Sequence, residues 1–443
     1  MKNGYKGFII FIAIWVIIAA MLNMILNKLN ASNSVTNNNI NNNEVSENTQ
    51  KEKDFNSKFL SQGEMRGVWI STVNNLDWPN VGSYNNKKIQ KELLKEKLDF
   101  VEKNNMNTVF FQVRPMGDAL YKSNYSPWSR YLTGELGKDP GYDPLEFAIE
   151  EAHKRGIELQ AWFNPFRIDS NSQNFDLTDY ISKLPEESPL KKNLNWIVKY
   201  DKYTYLDIGI PEVREYVINL IIEVVDKYNI DGIILDDYFY PYPVEGVEFS
   251  DKSTYEKYGQ EFNSKEDWRR NNVDNFIYEL NKKIKEKNSN LKFGVSPFGI
   301  WRNGESIGGS NTRGLSSYED IYVNSRKWIK EGYLDYIVPQ IYWQFNNSNA
   351  PYTTLVDWWS NQVEGTNIQL YIGIAVYKIN DSTYGQEWLK DDEVINQIIY
   401  SRNDKNVKGN CFFRLASLEE NRLGFTDKLK SLSFFFSKMF IFY

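Results

Sequence analysis

The chain has 443 residues and a net charge of −6, and aromatic residues make up 15% of it. That acidic balance argues against a nucleic-acid partner, which needs a basic patch. A single cysteine, Cys411, excludes an intrachain disulfide and a cysteine zinc site. A single histidine, His153, argues against a histidine metal centre or a Ser-His-Asp triad. Chemistry therefore falls to carboxylates, amides, hydroxyls and arginine, with no metal or cofactor expected. Thirteen tryptophans offer flat faces suited to sugar rings or to a large core.

Lys2 and Lys6 precede the apolar run GFIIFIAIWVIIAAMLNMIL (7–26), which is long enough to cross a bilayer. Positive charge before it predicts a cytoplasmic N-terminus and an exported remainder. The run is long for a cleaved signal peptide and no clear A-x-A site follows, so an uncleaved anchor is favoured. Residues 1–28 thus read as a membrane anchor or signal sequence. Residues 29–58, rich in asparagine and without apolar periodicity, read as a disordered linker.

From residue 59 to 432 short apolar runs alternate with helical patterns. The runs are RGVWIST (66–72), NTVFFQVRP (107–115), IELQAWFNP (157–165), DGIILDD (231–237), KFGVSPFG (292–299), DYIVPQIYW (335–343), QLYIGIAVY (369–377) and NCFFRLA (410–416). Rich in β-branched and aromatic residues, they suit strands buried on both faces. Helices are predicted over 87–105, 144–156, 211–229, 268–288, 318–332, 353–365, 391–404 and 418–432. Asp143 before Pro144 is a capping pair, Pro211 fits a first turn, and Gly156, Gly332 and Gly365 fit helix ends. Eight strands alternating with eight helices predict an α/β fold, a parallel (β/α)8 barrel. A doubly wound open sheet is the runner-up, but no phosphate-binding glycine loop follows any strand. The aromatic stretch 433–443 has no assignment and is too short to span a membrane.

Three connections, 115–142, 166–210 and 238–267, exceed ordinary length and follow strand C-termini, where barrels carry their active sites. The strand ends bring Trp69, Arg114, Asn164, Asp236, Asp237, Ser296, Gln340, Tyr342 and Trp343 to that face, with Tyr238 and Asp118 just beyond. Carboxylates, amides, arginine and aromatics together are the parts of a carbohydrate site. Asp236 and Asp237 have a competing reading as a capped turn. Successive strand residues face opposite sides, so at most one points to the barrel axis unless the strand has already ended. Arg114 has an equal reading as a structural partner of an acid such as Asp118, and Asn164 as a turn residue. Trp343 and Tyr342 have one as packing. His153 reads as a packing or surface residue, and Asp231 as structural. Glycosidases use two carboxyl groups, and no acid ends strands five to eight. The second is sought among the loop acids Glu305, Glu245, Glu248 and Asp118, with Glu305 carried as a catalytic candidate.

The stretches EMRGVWISTVNNLDWP (64–79), NTVFFQVRPMGDALYKSNYSPWS (107–129), GYDPLEFAIEEAHKRGIELQAWFNPFR (141–167), YLDIGIPEVREYV (205–217), DGIILDDYFYP (231–241), FGVSPFGIWRN (293–303) and LDYIVPQIYW (334–343) together resemble the family 10 glycosyl hydrolase-like proteins. These are extracytoplasmic barrels akin to the α-amylase-type enzymes, and the resemblance covers roughly residues 62–430. It implies a glycosidase acting on cell-wall glycan, of the kind linked to peptidoglycan strands stripped of peptides. The amylase-like pattern of the fourth strand implies Asp236 as nucleophile. Two departures stand out. The amylase-type acid at the end of strand five has no counterpart in GVSPFG, and the C-terminal tail is unlike the family's ending. The expectation is an exported, membrane-anchored glycoside hydrolase. The competing classes are a non-catalytic glycan-binding barrel and a hydrolase of another polysaccharide.

Overall fold

Alternation with a period of two sorts the side chains of each strand between two cores. In the first strand Val68 and Ile70 join the layer under the helices, while Trp69 points the other way. The same split separates Val109 and Phe111 from Phe110, Ala161 and Phe163 from Trp162, and Ile233 and Leu235 from Ile234. Strands buried on both faces must be apolar throughout, which is why they read as near-continuous runs.

The structure, a computed structural model, describes residues 63–170 and 174–437. The anchor and linker expected over 1–58 lie outside the described residues, as do residues 438–443 of the tail. The strands are β1 (Met65–Ile70), β2 (Thr108–Arg114), β3 (Glu158–Phe163), β4 (Arg167–Asp169), β5 (Ile197–Tyr200), β6 (Tyr203–Leu206), β7 (Gly232–Leu235), β8 (Lys292–Val295), β9 (Tyr336–Ile337), β10 (Gln369–Ile374) and β11 (Val407–Phe412). Eight of them, β1, β2, β3, β7, β8, β9, β10 and β11, form a closed, all-parallel barrel. Closure is made by β11 on β1, with Met65 opposite Gly409. All eight predicted runs are barrel strands. β9 is reduced to two residues because Pro339 follows and has no N–H to give the ladder. Gln340 then resumes contact through single bridges to Phe298 and Gly373.

The barrel interior holds Met65, Trp69, Phe110, Trp162, Ile234, Tyr336, Val338, Tyr371 and Cys411. Glycines on neighbouring strands leave room for the large rings. A Cβ at Gly294 would lie 2.2 Å from the Tyr336 ring, and one at Gly67 would lie 2.7 Å from Phe110. Outside, helix Pro211–Lys227 buries Val213, Val217, Leu220, Ile221 and Val224 on one stripe. Asp143 caps helix Pro144–Lys154, accepting from the N–H groups of Leu145 and Glu146, each at 3.1 Å. His153 and Asp231 meet at 2.8 Å on the opposite end of the barrel from the long loops, and Asp231 also accepts from Leu159 N.

Two predicted helices are broken. The pattern 318–332 is two short helices, Ser317–Asp320 and Ser325–Glu331, separated by Tyr322 at φ 60°. The pattern 418–432 becomes Leu415–Glu419 and Phe425–Ser437, because Asn421 turns left-handed at φ 47° and accepts from the N–H groups of Thr426 and Asp427. The second of these helices continues into the unassigned tail as far as Ser437. The long loops carry elements of their own: helix Arg130–Thr133, the antiparallel sheet β4-β6-β5, and helix Lys252–Tyr258. Among the described residues, no helix is long and apolar enough to cross a membrane.

Candidate active site

The strand β7 stops at Leu235, one residue before the acids. Had it continued, Asp236 would have followed Ile234 into the barrel and Asp237 would have followed Leu235 outward. Because the chain leaves the sheet there, both carboxyl groups line a single cavity of about 260 Å3 at the C-terminal mouth of the barrel. Its other walls are Trp69, Trp162, Tyr238, Ser296, Gln340, Tyr342, Tyr377 and Phe413. The two acids are 5% and 1% exposed.

Asp236 is held by N–H donors. Trp162 Nε1 donates to its Oδ2 at 3.2 Å and Asn164 Nδ2 to the same oxygen at 3.3 Å, while the Tyr238 amide reaches Oδ1 at 3.4 Å. Asp237 accepts instead from the Tyr242 hydroxyl. Burial, reinforced by the neighbouring Asp237 charge, pushes the Asp236 carboxyl up to about 7. Burial also raises Asp237, against the opposing hydrogen bond from Tyr242. The Arg167 guanidinium works in the other direction on both. It lies 4.7 Å from the centre of the Tyr238 ring, and its Nη2 donates to the Pro115 carbonyl at 3.2 Å. The Asp237 charge thus disfavours ionisation of Asp236 beside it.

The remaining walls are set by strand-to-strand hydrogen bonds. Ser296 Oγ donates to the Val338 carbonyl at 2.8 Å, and Gln340 Nε2 donates to the Ser296 carbonyl at 3.0 Å, which locks the ends of β8 and β9 together. Trp69 meets Trp162 edge-on at 4.9 Å, and its own indole N–H finds no acceptor among the described residues. Phe413 packs against Trp69, Trp162, Tyr342 and Tyr377 and closes the aromatic side.

Of the residues singled out from the sequence, Asp236, Asp237, Trp69, Tyr238, Ser296, Gln340 and Tyr342 come together in this cavity. Asn164 sits just behind it, against Asp236. Arg114 lies deeper, fully buried, with Nη1 donating to the carbonyls of Asn164 (2.8 Å) and Pro165 (3.2 Å). Asp118 is buried in the β2 loop, its carboxyl raised by burial and eased by a Ser129 hydrogen bond. Trp343 stands edge-on to Phe298 at 5.5 Å, outside the lining. Glu305 is exposed on the short helix Glu305–Ile307. Glu245 and Glu248 are exposed as well, and Glu248 is paired with Lys265 at 2.7 Å. None of these loop acids borders the cavity. Sequence reasoning left out Phe413, Tyr242 and Arg167. Phe413 was reachable by applying the period of two to β11. Tyr242 and Arg167 follow strand ends and carry no periodic signal.

The family model described as "Glycosyl hydrolase-like 10" matches residues 64–390. The chain belongs to that family. It is 46% identical over 380 residues to the glycosyl hydrolase YngK of Bacillus subtilis (strain 168), covering 85% of this chain and 73% of that protein. It is 41% identical over 367 residues to the glycosyl hydrolase DigH of Escherichia coli (strain K12), covering 80% of this chain and 83% of that one. The fold is shared with the PgaB (BpsB) glycoside hydrolase domain of Bordetella bronchiseptica, at a TM-score of 0.56 and 10% identity over 83% of this chain and 98% of that domain. This chain, too, is a glycoside hydrolase.

Proposed function

We propose that this Glycosyl hydrolase-like 10 member cleaves glycosidic bonds within a cell-wall glycan, specifically peptidoglycan strands freed of peptides. The reaction is assigned to Asp236 and Asp237. The observation that carries this assignment is that both acids share one aromatic-walled cavity while, among the described residues, no other carboxyl lines it. Asp236 carries three N–H donors on its oxygens, which stabilise its ionised form against the burial that raises its pKa. It acts as the nucleophile at the anomeric carbon. Asp237, on the same cavity, is assigned to protonate the leaving oxygen. Trp69, Trp162, Tyr342 and Phe413 supply the flat apolar surface against which a sugar ring stacks, and Gln340 and Ser296 supply polar contacts for hydroxyls. The apolar run 7–26 behind two lysines supports an extracytoplasmic location with a membrane tether.

The test offers the purified protein a panel of peptide-free glycan strands, intact peptidoglycan and unrelated neutral polysaccharides, and measures released fragments. Release from peptide-free strands, lost in Asp236→Asn, supports the proposal. Release only from another polysaccharide overturns the substrate, and full activity in Asp236→Asn overturns the role of Asp236.

A further inference from the structure

We infer that a cationic groove outside the catalytic cavity binds the carboxylates of an acidic glycan chain. This rests on the reading above that the substrate is a polymeric glycan. The groove, a cavity of about 370 Å3, lies between the loop leaving β8 and helix Ser325–Glu331. Arg302, Arg326, Lys327 and Lys330 line it, with Trp301 and Tyr318 among its walls, and among the described residues no carboxylate borders it. On a chain of net charge −6 that is a local reversal of sign.

Two of the four cations are already neutralised. Arg302 pairs with Glu319 at 2.5 Å and Lys327 with Asp274 at 3.0 Å. Among the described residues the other two reach neutral oxygens. Arg326 Nε donates to the Gln362 amide oxygen at 3.0 Å, and Lys330 Nζ donates to the Gln362 main-chain carbonyl at 2.8 Å. Their positive charge is left for a ligand. Aromatic faces hold the guanidinium groups in place, Arg326 at 5.3 Å from the Trp301 ring and Arg302 at 4.7 Å from the Tyr318 ring. Trp301 is itself fixed by stacking on Trp358 at 5.5 Å. It is 5% exposed, and its indole N–H has no acceptor among the described residues. A buried donor without a partner favours an incoming oxygen. The preset Arg326 guanidinium, the Lys330 ammonium, an unmatched donor and aromatic walls suit a sugar bearing a carboxylate, which guanidinium recognises through paired hydrogen bonds.

The groove also has the right neighbour. Its loop leaves β8 through Ser296, which lines the catalytic cavity, and through Phe298, which packs on Tyr242 and Trp343. A glycan running from the cavity along this rim would meet the groove. Removing the peptides from wall glycan frees one lactyl carboxylate per disaccharide, so the proposed substrate carries the charge that the groove lacks.

The experiment compares two substrates, peptide-free strands and the same strands with carboxyls reduced to alcohols. It uses the full chain and its Lys330→Glu and Arg326→Gln variants. The expected result is a KM raised about tenfold for acidic strands in each variant, with kcat kept and kinetics on reduced strands within about twofold. Equal effects on both substrates, or none on either, overturn the groove. If neither substrate is cut, the catalytic reading fails on its own and co-sedimentation with acidic strands decides the groove. Binding lost in the variants supports it, and binding kept overturns it. Lys330 is exposed, so Lys330→Glu carries the test should Arg326→Gln melt early.

Discussion

Trp162 on β3 donates its indole N–H across 3.2 Å to Asp236, the first residue past the end of the neighbouring strand β7. The bond stabilises the ionised carboxylate against the burial that opposes it. Trp162→Phe keeps the ring and removes the donor. Losing one hydrogen bond to a charged group is worth about 1.5–3 kcal/mol. We therefore expect kcat/KM on glycan strands to fall about tenfold or more at neutral pH, with the acid limb of the pH profile moved upward. An unchanged profile would mean that Asp236 draws its ionisation from elsewhere.

The same burial makes Asp236 costly to the fold. Its carboxyl titrates near 7 in the folded protein and near 3.8 in the unfolded chain, so the folded state binds the extra proton between those values. Stability from this group is complete below about pH 4 and is lost as pH rises through 7, with a cost on the order of a few kcal/mol above that. Asp236→Asn removes the cost while it removes activity. Thermal melts should show the variant more stable than the native protein at pH 8 and no more stable at pH 4. A variant less stable at both would contradict the raised pKa.

Arg167 holds both carboxyls down while its guanidinium rests on Tyr238. Arg167→Met keeps much of the aliphatic stem and deletes the charge. Both carboxyls then rise, and the whole bell of kcat/KM against pH moves to higher pH. Arg167→Lys, which retains a positive charge without the planar stack, should shift it less. Identical profiles for the two variants would assign Arg167 to packing alone.

The barrel was legible in the sequence because each strand is buried on both faces and each helix on one, so burial wrote an apolar pattern at two different periods. The helix breaks at Tyr322 and Asn421 were not, since a left-handed residue leaves a hydrophobic pattern intact across it. At the site, Trp69, Ser296 and Gln340 were readable as strand ends. The pairing of Asp236 with Asp237 was not, because it depends on where β7 stops: period two permits one inward acid until Leu235 and two beyond it. Arg114 and Asn164 were read from strand ends as well, and both turn out to support the cavity from behind. Long-range contacts such as Arg167 over Tyr238 depend on the loop sheet β4-β6-β5, which no local pattern specifies.

Tyr242 acts on the partner acid. Its hydroxyl donates to Asp237 and lowers the proton affinity of that carboxyl. Tyr242→Phe leaves the ring stacked edge-on against Tyr238 at 5.5 Å and removes the donor. If Asp237 is the proton donor of the reaction, it stays protonated to higher pH in this variant. The alkaline limb then moves upward while the acid limb is unmoved, the opposite signature to Trp162→Phe. Movement of the acid limb alone would exchange the roles of the two acids.

Glu305 separates a pair-based mechanism from one that borrows a loop acid. It is exposed on a short helix after β8, and it does not border the cavity that holds Asp236 and Asp237. A general acid must come within hydrogen-bond reach of the leaving oxygen, directly or through one water. Glu305→Gln should therefore keep kcat on glycan strands within about twofold, against a loss of about 100-fold or more for Asp237→Asn. The informative substrate is one whose leaving group is too acidic to need protonation. Asp237→Asn should be largely restored on an activated aryl glycoside, and Glu305→Gln should show nothing to restore. A deep kcat loss in Glu305→Gln, recovered on the aryl glycoside, would move the acid to the β8 loop and require that loop to close over the cavity during catalysis.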